Sequence, residues 1–258
     1  MIKAIFMDFD GTVYSHTANG IPASTIDAIN SVRKKGIKVF LCTGRAYPEL
    51  WQFDISELIL DGKILSNGQL ILDTQEEIIY KRPINGILKE KMVRMFHEMK
   101  VPIYFGTLDD LVLNYANDFI VAVQKTVNSE MPVVKDYQGE DFYMASAFIE
   151  DDIAMKEVMS LKENAEITFW HKGAVDIVPK GVSKALGIDE VLKIYDIGLS
   201  ETMGIGDGEN DIEMFRHCGI SVAMGNSSPD SVKEAADYVT DDIDDDGFYK
   251  ALQYYELI

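Results

Sequence analysis

The chain reads as an α/β protein in which a parallel-sheet core is interrupted by an inserted α+β domain. Three observations predict this. The short, wholly apolar run Ala4–Met7 has the pattern of a parallel strand buried on both faces, and residues 37–41 and Thr202–Gly206 read as further strands of the same sheet. Helical patterns alternate with such runs at both ends of the chain, the rhythm of right-handed βαβ crossovers. Between residues 77 and 180 that rhythm gives way to several short strand-like runs, which points to a separate layer with an antiparallel sheet.

The elements follow in order. The first strand runs directly into Asp8-Phe-Asp10-Gly-Thr12, and a polar stretch over residues 15–20 comes next. Pro22 and Ser24 open a helix; Ser24 with Asp27 matches a capping-box variant, and Gly36 marks the stop. Residues 37–41 form the second strand, which ends in Cys42-Thr43-Gly44-Arg45. A third strand around Ile64 and Leu65 ends at Asn67-Gly68, and residues 77–80 form another. Leu88, Met92, Met95, Phe96 and Met99 fall at helical spacing, so an amphipathic helix is predicted with its methionines as core filler.

Further strands are predicted over residues 102–105, 111–115, 143–149, 167–170 and 175–178, with a helix over 151–163. Trp170, His171 and Lys172 lie between two of these strands, where surface exposure is expected and a substrate-facing position is the alternative. Pro179-Lys-Gly181 punctuates the end of this segment. From Ser183 the α/β rhythm returns, with Lys184 early in a helix. Thr202–Gly206 is a strand ending in Asp207-Gly-Glu-Asn210-Asp211, and residues 220–224 form a further strand. The acidic run over 241–246 reads as a solvated turn before the last helix. The predicted division is a core of residues 1–81 and 181–258 with residues 82–180 inserted.

Composition narrows the function classes. The 258 residues are enough to bury a core without disulfide staples, and 47% hydrophobic with 26% charged is a globular balance. A formal net charge of −19 repels polyanions, so nucleic acid and anionic membranes are not expected partners. An anionic substrate would need cations supplied locally. Cys42 lies in an apolar run and reads as a buried free thiol; with Cys218 it makes no disulfide framework. No apolar run approaches the roughly 18 residues of a membrane span, and the chain opens on a strand with no leader, so the cytoplasm is expected. His16, His97, His171 and His217 are scattered and read as ordinary surface or packed histidines.

In an open α/β sheet, ligands bind just beyond the carboxyl ends of the strands. That rule gathers Asp8, Asp10, Thr43, Asp207 and Asp211 at one edge, with Lys184 beside them. Carboxylates so close repel one another, and a hard divalent cation such as Mg²⁺ relieves the repulsion with oxygen ligands. No His/Cys cluster suggests zinc. With Mg²⁺ and Lys184 neutralising a phosphoryl group, Asp8 is a candidate nucleophile forming an aspartyl-phosphate. Asp10 is then the candidate acid and base, while Thr43 and nearby backbone N–H groups hold phosphoryl oxygens.

These residues resemble the four motifs of the haloacid dehalogenase superfamily, and the likeness spans essentially the whole chain. Asp8 to Thr12 matches the first motif, Thr43-Gly44-Arg45 the second, Lys184 the third and Gly206-Asp-Gly-Glu-Asn-Asp211 the fourth; Asp246-Gly247 also fits the Cof-type subgroup. The resemblance implies a Rossmann-like core with a large C2-type (C2B) cap between the second and third motifs. It implies a Mg²⁺-dependent phosphatase of a small phosphorylated metabolite, such as a sugar phosphate or phosphorylated cofactor. Asp8 would be nucleophile and metal ligand, and Asp10 acid/base and ligand through its carbonyl. Asp207 would be the third ligand, and Asp211 would orient a metal-bound water. Phe9, Thr43, Gly44, Arg45, Lys184 and Asn210 would contact phosphate. A phosphomutase or other phosphotransferase, and a catalytically silent phosphometabolite binder, stand as alternatives.

Overall fold

The computed structural model describes residues 1–127 and 129–258. Its strands, in chain order, begin with β1 (Ala4–Met7), β2 (Lys38–Cys42), β3 (Gly62–Leu65), β4 (Leu70–Leu72) and β5 (Ile78–Lys81). Then come β6 (Ile103–Gly106), β7 (Leu111–Leu113), β8 (Val133–Val134), β9 (Met144–Phe148), β10 (Ala165–His171) and β11 (Ala174–Pro179). The last three are β12 (Thr202–Gly206), β13 (Ile220–Ala223) and β14 (Tyr238–Val239). The chain divides into two units: Met1–Gly44, Asp54–Lys81 and Ser183–Ile258 form the first; Arg45–Phe53 and Arg82–Val182 form the second. The second unit therefore draws on a short segment well outside residues 82–180.

The first unit holds an eight-stranded sheet in the order β14-β13-β12-β1-β2-β3-β4-β5. From β14 to β3 all neighbours are parallel, and β4 and β5 add an antiparallel edge. β1 is central, pairing Ala4 with Thr202 on one side and with Lys38 on the other. Its four residues are all buried, as expected for a strand covered on both faces. On one face Phe6 stacks on Phe40 at 5.3 Å, within a cluster that includes Ile64, Ile188 and Met214. Cys42 is fully buried, and burial pushes its thiol well above the ordinary value.

One helix needs two glycines to reach its place. Gly68 has φ +97°, and a Cβ there would come within 2.5 Å of the Ser183 carbonyl oxygen. A Cβ on Gly187 would lie 2.9 Å from the Gly68 Cα. This close approach seats the first turn of the helix Lys184–Tyr195 against the carboxyl end of β3, which carries Lys184 to the sheet edge. The helix Ala23–Lys34 starts differently from the expected pattern. Pro22 occupies the cap position, no side chain caps the first turn, and the Ser24 hydroxyl is buried with no hydrogen-bond partner. Proline at the entry supplies the required φ without a side-chain acceptor.

The second unit holds a six-stranded sheet in the order β10-β11-β9-β6-β7-β8. It is antiparallel except for β7 with β8. The helix Gly86–Glu98 buries Leu88, Met92, Met95 and Phe96 on the core, while Met99 ends it in the left-handed region and stays exposed. Phe105 and Phe142 stack at 4.1 Å with only 6° between ring planes. A helix at Asp118–Thr126, capped by the Asn117 side chain, was not anticipated from the sequence pattern. The β10 strand runs further than the expected 167–170, starting at Ala165 and taking in His171, with an irregular register between Phe169 and His171. Trp170 packs edge-on against Phe148.

Candidate active site

Three adjacent parallel strands, β12, β1 and β2, end at the same edge of the first sheet, and each is followed at once by a polar residue. Asp8 follows β1, Thr43 follows β2, and Asp207 follows β12. The ladder continues one residue past β1 and β2, with Asp8 N donating to the Ile205 carbonyl at 2.9 Å and Thr43 N to the Ile64 carbonyl at 2.9 Å. Asp8, Thr43 and Asp211 are buried, and Lys184 is fully buried.

The Lys184 ammonium sits between two carboxylates, 2.5 Å from Asp8 Oδ1 and 2.6 Å from Asp211 Oδ1. The other Asp211 oxygen, Oδ2, accepts the backbone N–H of Asp207 and of Gly208, each at 3.0 Å. Asp8, Asp207 and Asp211 each present a carboxylate oxygen within 4.8 Å of the others. Burial by itself would lower the Lys184 pKa, but Asp211 and Asp8 raise it above the ordinary lysine value, so this lysine stays charged. The carboxylates fare differently. Burial pushes Asp8 up, Lys184 pulls it back, and Asp211 and Asp10 push it up again. Burial together with Asp8 and Asp211 raises Asp207 further. One ammonium among three carboxylates leaves a surplus of negative charge. The donors are all oxygens, so the cluster suits a hard cation of the Mg²⁺ type.

Two features hold Asp207 in place. A Cβ on Gly11, whose φ is +70°, would collide with the Asp207 carboxylate, so only glycine lets the first loop lie this close. Thr12 Oγ1 donates to Asp207 Oδ1 at 3.3 Å, and Asn226 Nδ2 reaches Asp207 Oδ2 at 3.3 Å and the Gly11 carbonyl at 2.8 Å. Asn226 was not singled out from the sequence. Its position three residues past the end of β13, on the same edge as the other motifs, was the available signal.

The remaining expected residues are placed as follows. The Phe9 carbonyl accepts the N–H groups of Thr12, Val13 and Tyr14, which closes the turn after the first motif. Asn210 lies beside the second motif: a Cβ on Gly44 would be 3.3 Å from Asn210 Nδ2 and 3.2 Å from Asn67 Nδ2. Asp10 is partly exposed and bonded at 2.7 Å to His16 Nε2, a contact not expected for that histidine. Arg45 belongs by its packing to the second unit, where its guanidinium lies 4.6 Å from the Phe53 ring centroid. His217 pairs with Asp189. No helix among the described residues is long and apolar enough to cross a membrane.

Residues 5–252 match the model of the haloacid dehalogenase-like hydrolases. The chain belongs to this family of enzymes. It is 30% identical over 259 residues to YkrA of Bacillus subtilis, whose name marks it as a candidate phosphatase, covering 99% of this chain and 98% of that one. It is 27% identical to the B. subtilis 5-amino-6-(5-phospho-D-ribitylamino)uracil phosphatase YcsE, over 99% of this chain and 96% of the relative. Among solved structures, the family phosphatase BT1666 from Bacteroides thetaiotaomicron superposes with a TM-score of 0.89 at 32% identity, covering 100% of this chain and 96% of that one. The subclass IIB sugar phosphatase BT4131 gives 0.84 at 33% identity, with 99% and 100% covered. This family and its phosphatase branch agree with the resemblance carried by the four motifs.

Proposed function

We propose that this chain hydrolyses a small phosphorylated metabolite, a sugar phosphate or phosphorylated cofactor, through an aspartyl-phosphate on Asp8. The observation that carries the reading is the setting of Asp8. It is buried at the end of the central strand, held by Lys184 and set in a carboxylate cluster with surplus negative charge. Relatives named for a phosphorylated ribitylaminouracil and for sugar phosphates support the substrate class. Two free thiols fit a cytoplasmic location.

The residues divide the work. The Asp8 carboxylate attacks phosphorus while the bond to the leaving oxygen breaks, and Asp10 gives that oxygen a proton. An alcohol departs and the phosphoryl group remains on Asp8. Asp10, now ionised, takes a proton from the attacking water; the Asp8–phosphorus bond breaks and inorganic phosphate leaves. Lys184, Thr43, Asn210 and the backbone N–H groups of Phe9 and Gly44 hold the phosphoryl oxygens. Asp8, Asp207 and the Asp10 carbonyl would hold Mg²⁺, with Asp211 anchoring Lys184 and completing the acidic cluster. When bound, the ion supplies charge neutralisation for an anion meeting an anion. Arg45, whose guanidinium lies 4.6 Å from the Phe53 ring centroid, is a further candidate for the phosphoryl oxygens.

The test is phosphate release from a panel of phosphorylated metabolites, with Mg²⁺ or with chelator, for wild type and Asp8→Asn. The expected result is Mg²⁺-dependent release that falls at least roughly 1,000-fold in the variant. Release that survives in Asp8→Asn removes Asp8 as nucleophile, and release indifferent to chelator removes the metal.

A further inference from the structure

We propose that His16 is a positioning residue for Asp10, holding one carboxyl oxygen so that the other faces the leaving group with its proton. This rests on the phosphatase reading above and deepens it. Asp10 and Asp8 live in different surroundings. The Asp8 side chain is 8% exposed and clamped by an ammonium, while the Asp10 side chain is 32% exposed. A half-solvated carboxyl in a loop samples several rotamers unless something holds it. An acid that must protonate one particular oxygen loses rate in proportion to the time spent elsewhere.

The loop after the first motif is built to hold the imidazole. Phe9, between the two aspartates, stacks on Tyr14 at 5.3 Å, and Tyr14 meets the His16 ring edge-on at 5.3 Å. Tyr14 is itself fixed: its hydroxyl donates to Asn19 Oδ1 at 3.0 Å, and its carbonyl accepts Gly11 N–H at 2.9 Å. Ser15 and Gly20 exchange both backbone hydrogen bonds, so the residues between them form a closed loop. The Ser15 hydroxyl then donates to Asp244 Oδ1 at 2.5 Å, which pins that loop to the acidic run near the end of the chain. The outcome is His16 Nε2 at 2.7 Å from Asp10 Oδ1. With Nε2–H donating to Oδ1, a proton carried by Asp10 sits on Oδ2. Because the pair is exposed, it contributes little to folding stability, which separates its role from that of the buried Lys184.

Leaving-group dependence tests this. An alkyl monophosphate such as glycerol phosphate needs its leaving oxygen protonated, whereas 4-nitrophenyl phosphate releases a stable phenolate and needs little help. For His16→Ala, kcat/KM should fall roughly ten-fold on the alkyl ester and less than about two-fold on the aryl ester. The ratio between esters cancels any loss of folded protein. His16→Gln, whose amide Nε2 extends about as far from the backbone as the imidazole Nε2, should recover much of the loss. Asp10→Asn should show the same bias, larger. Equal losses on the two esters for His16→Ala, no loss, or a glutamine variant no better than alanine would overturn the assignment to His16 alone. No leaving-group bias in Asp10→Asn would overturn the acid role of Asp10, and no turnover of either ester by wild type would overturn the phosphatase reading itself.

Discussion

The two sheets of this chain meet buried acid with different partners. In the first unit the acids stand beyond the ends of parallel strands, where Lys184 meets Asp8 and Asp211 directly. In the second unit Asp176 lies within β11 and is met by a hydroxyl, with Ser146 Oγ donating to its Oδ1 at 2.5 Å. Register aligns Asp176 with Ser146, and Ser146 with Tyr104, across three neighbouring strands. Tyr104 in turn donates to Glu49 Oε1 at 3.0 Å. Burial pushes Asp176 up to about 7, with the Ser146 hydrogen bond pulling it down, Glu49 pushing it up and Arg45 pulling it down. Burial lifts Asp8 to about 7 as well, and there it is the Lys184 ammonium that opposes the rise. A row of hydroxyls leaves a carboxyl able to gain or lose its proton near neutrality.

Removing the cation breaks the comparison most forcefully. Lys184→Met leaves two buried carboxylates facing each other, which costs about 3–5 kcal/mol of stability, and it strips the phosphoryl group of its ammonium, lowering turnover at least roughly 100-fold. Chemical denaturation and phosphate release check the two effects; a variant as stable as wild type would show that the ammonium offsets nothing. Next in size is the apolar support of the second sheet. Phe142→Ala removes a fully buried ring stacked on Phe105 and should cost about 3–5 kcal/mol, read from urea unfolding.

The smallest effect sharpens the contrast. Asp176 has a folded pKa of about 7 against an ordinary 3.8, so between those values the folded state binds more protons than the unfolded one. Its contribution to stability is complete below about pH 4 and is lost as pH rises through about 7. Asp176→Asn cannot titrate. Melting temperatures from pH 4 to 8 should therefore converge or cross, with wild type losing ground to the variant as pH rises. Parallel curves would mean that burial does not keep this proton on Asp176.

The parts of the molecule that rest on burial were legible in the sequence, and the parts that rest on loop closure were not. Ala4–Met7 is apolar throughout and Thr202–Gly206 carries no charge, as strands covered on both faces require, and that pattern placed Asp8 and Asp207 at strand ends. Lys184 could be assigned to an early helical turn, although the two glycines that seat the helix carry no visible pattern of their own. His16 reads as one more polar residue in a polar stretch. Its meeting with Asp10 depends on a loop closed by backbone bonds and by Asp244, more than 200 residues away. Asn226 was missed for the same reason, since it acts through three distant segments. The strand Leu70–Leu72 is too short to separate from the strand and turn before it, and the grouping of Arg45–Phe53 with the second unit has no compositional mark.

The central position of β1 also sets an order of manufacture. The strand pairs with β2 on one side, but on the other it waits for Thr202 to Ile205. On a ribosome, which makes the chain from its first residue, every part of the second unit is synthesised before that partner exists. The strand that bears Asp8 thus keeps one open edge through most of translation. Asp207, Asp211 and Asn226 arrive only with or after the strand that closes it. A nascent or truncated chain has Asp8 but not the groups that surround it, so this site is assembled only when synthesis is nearly complete.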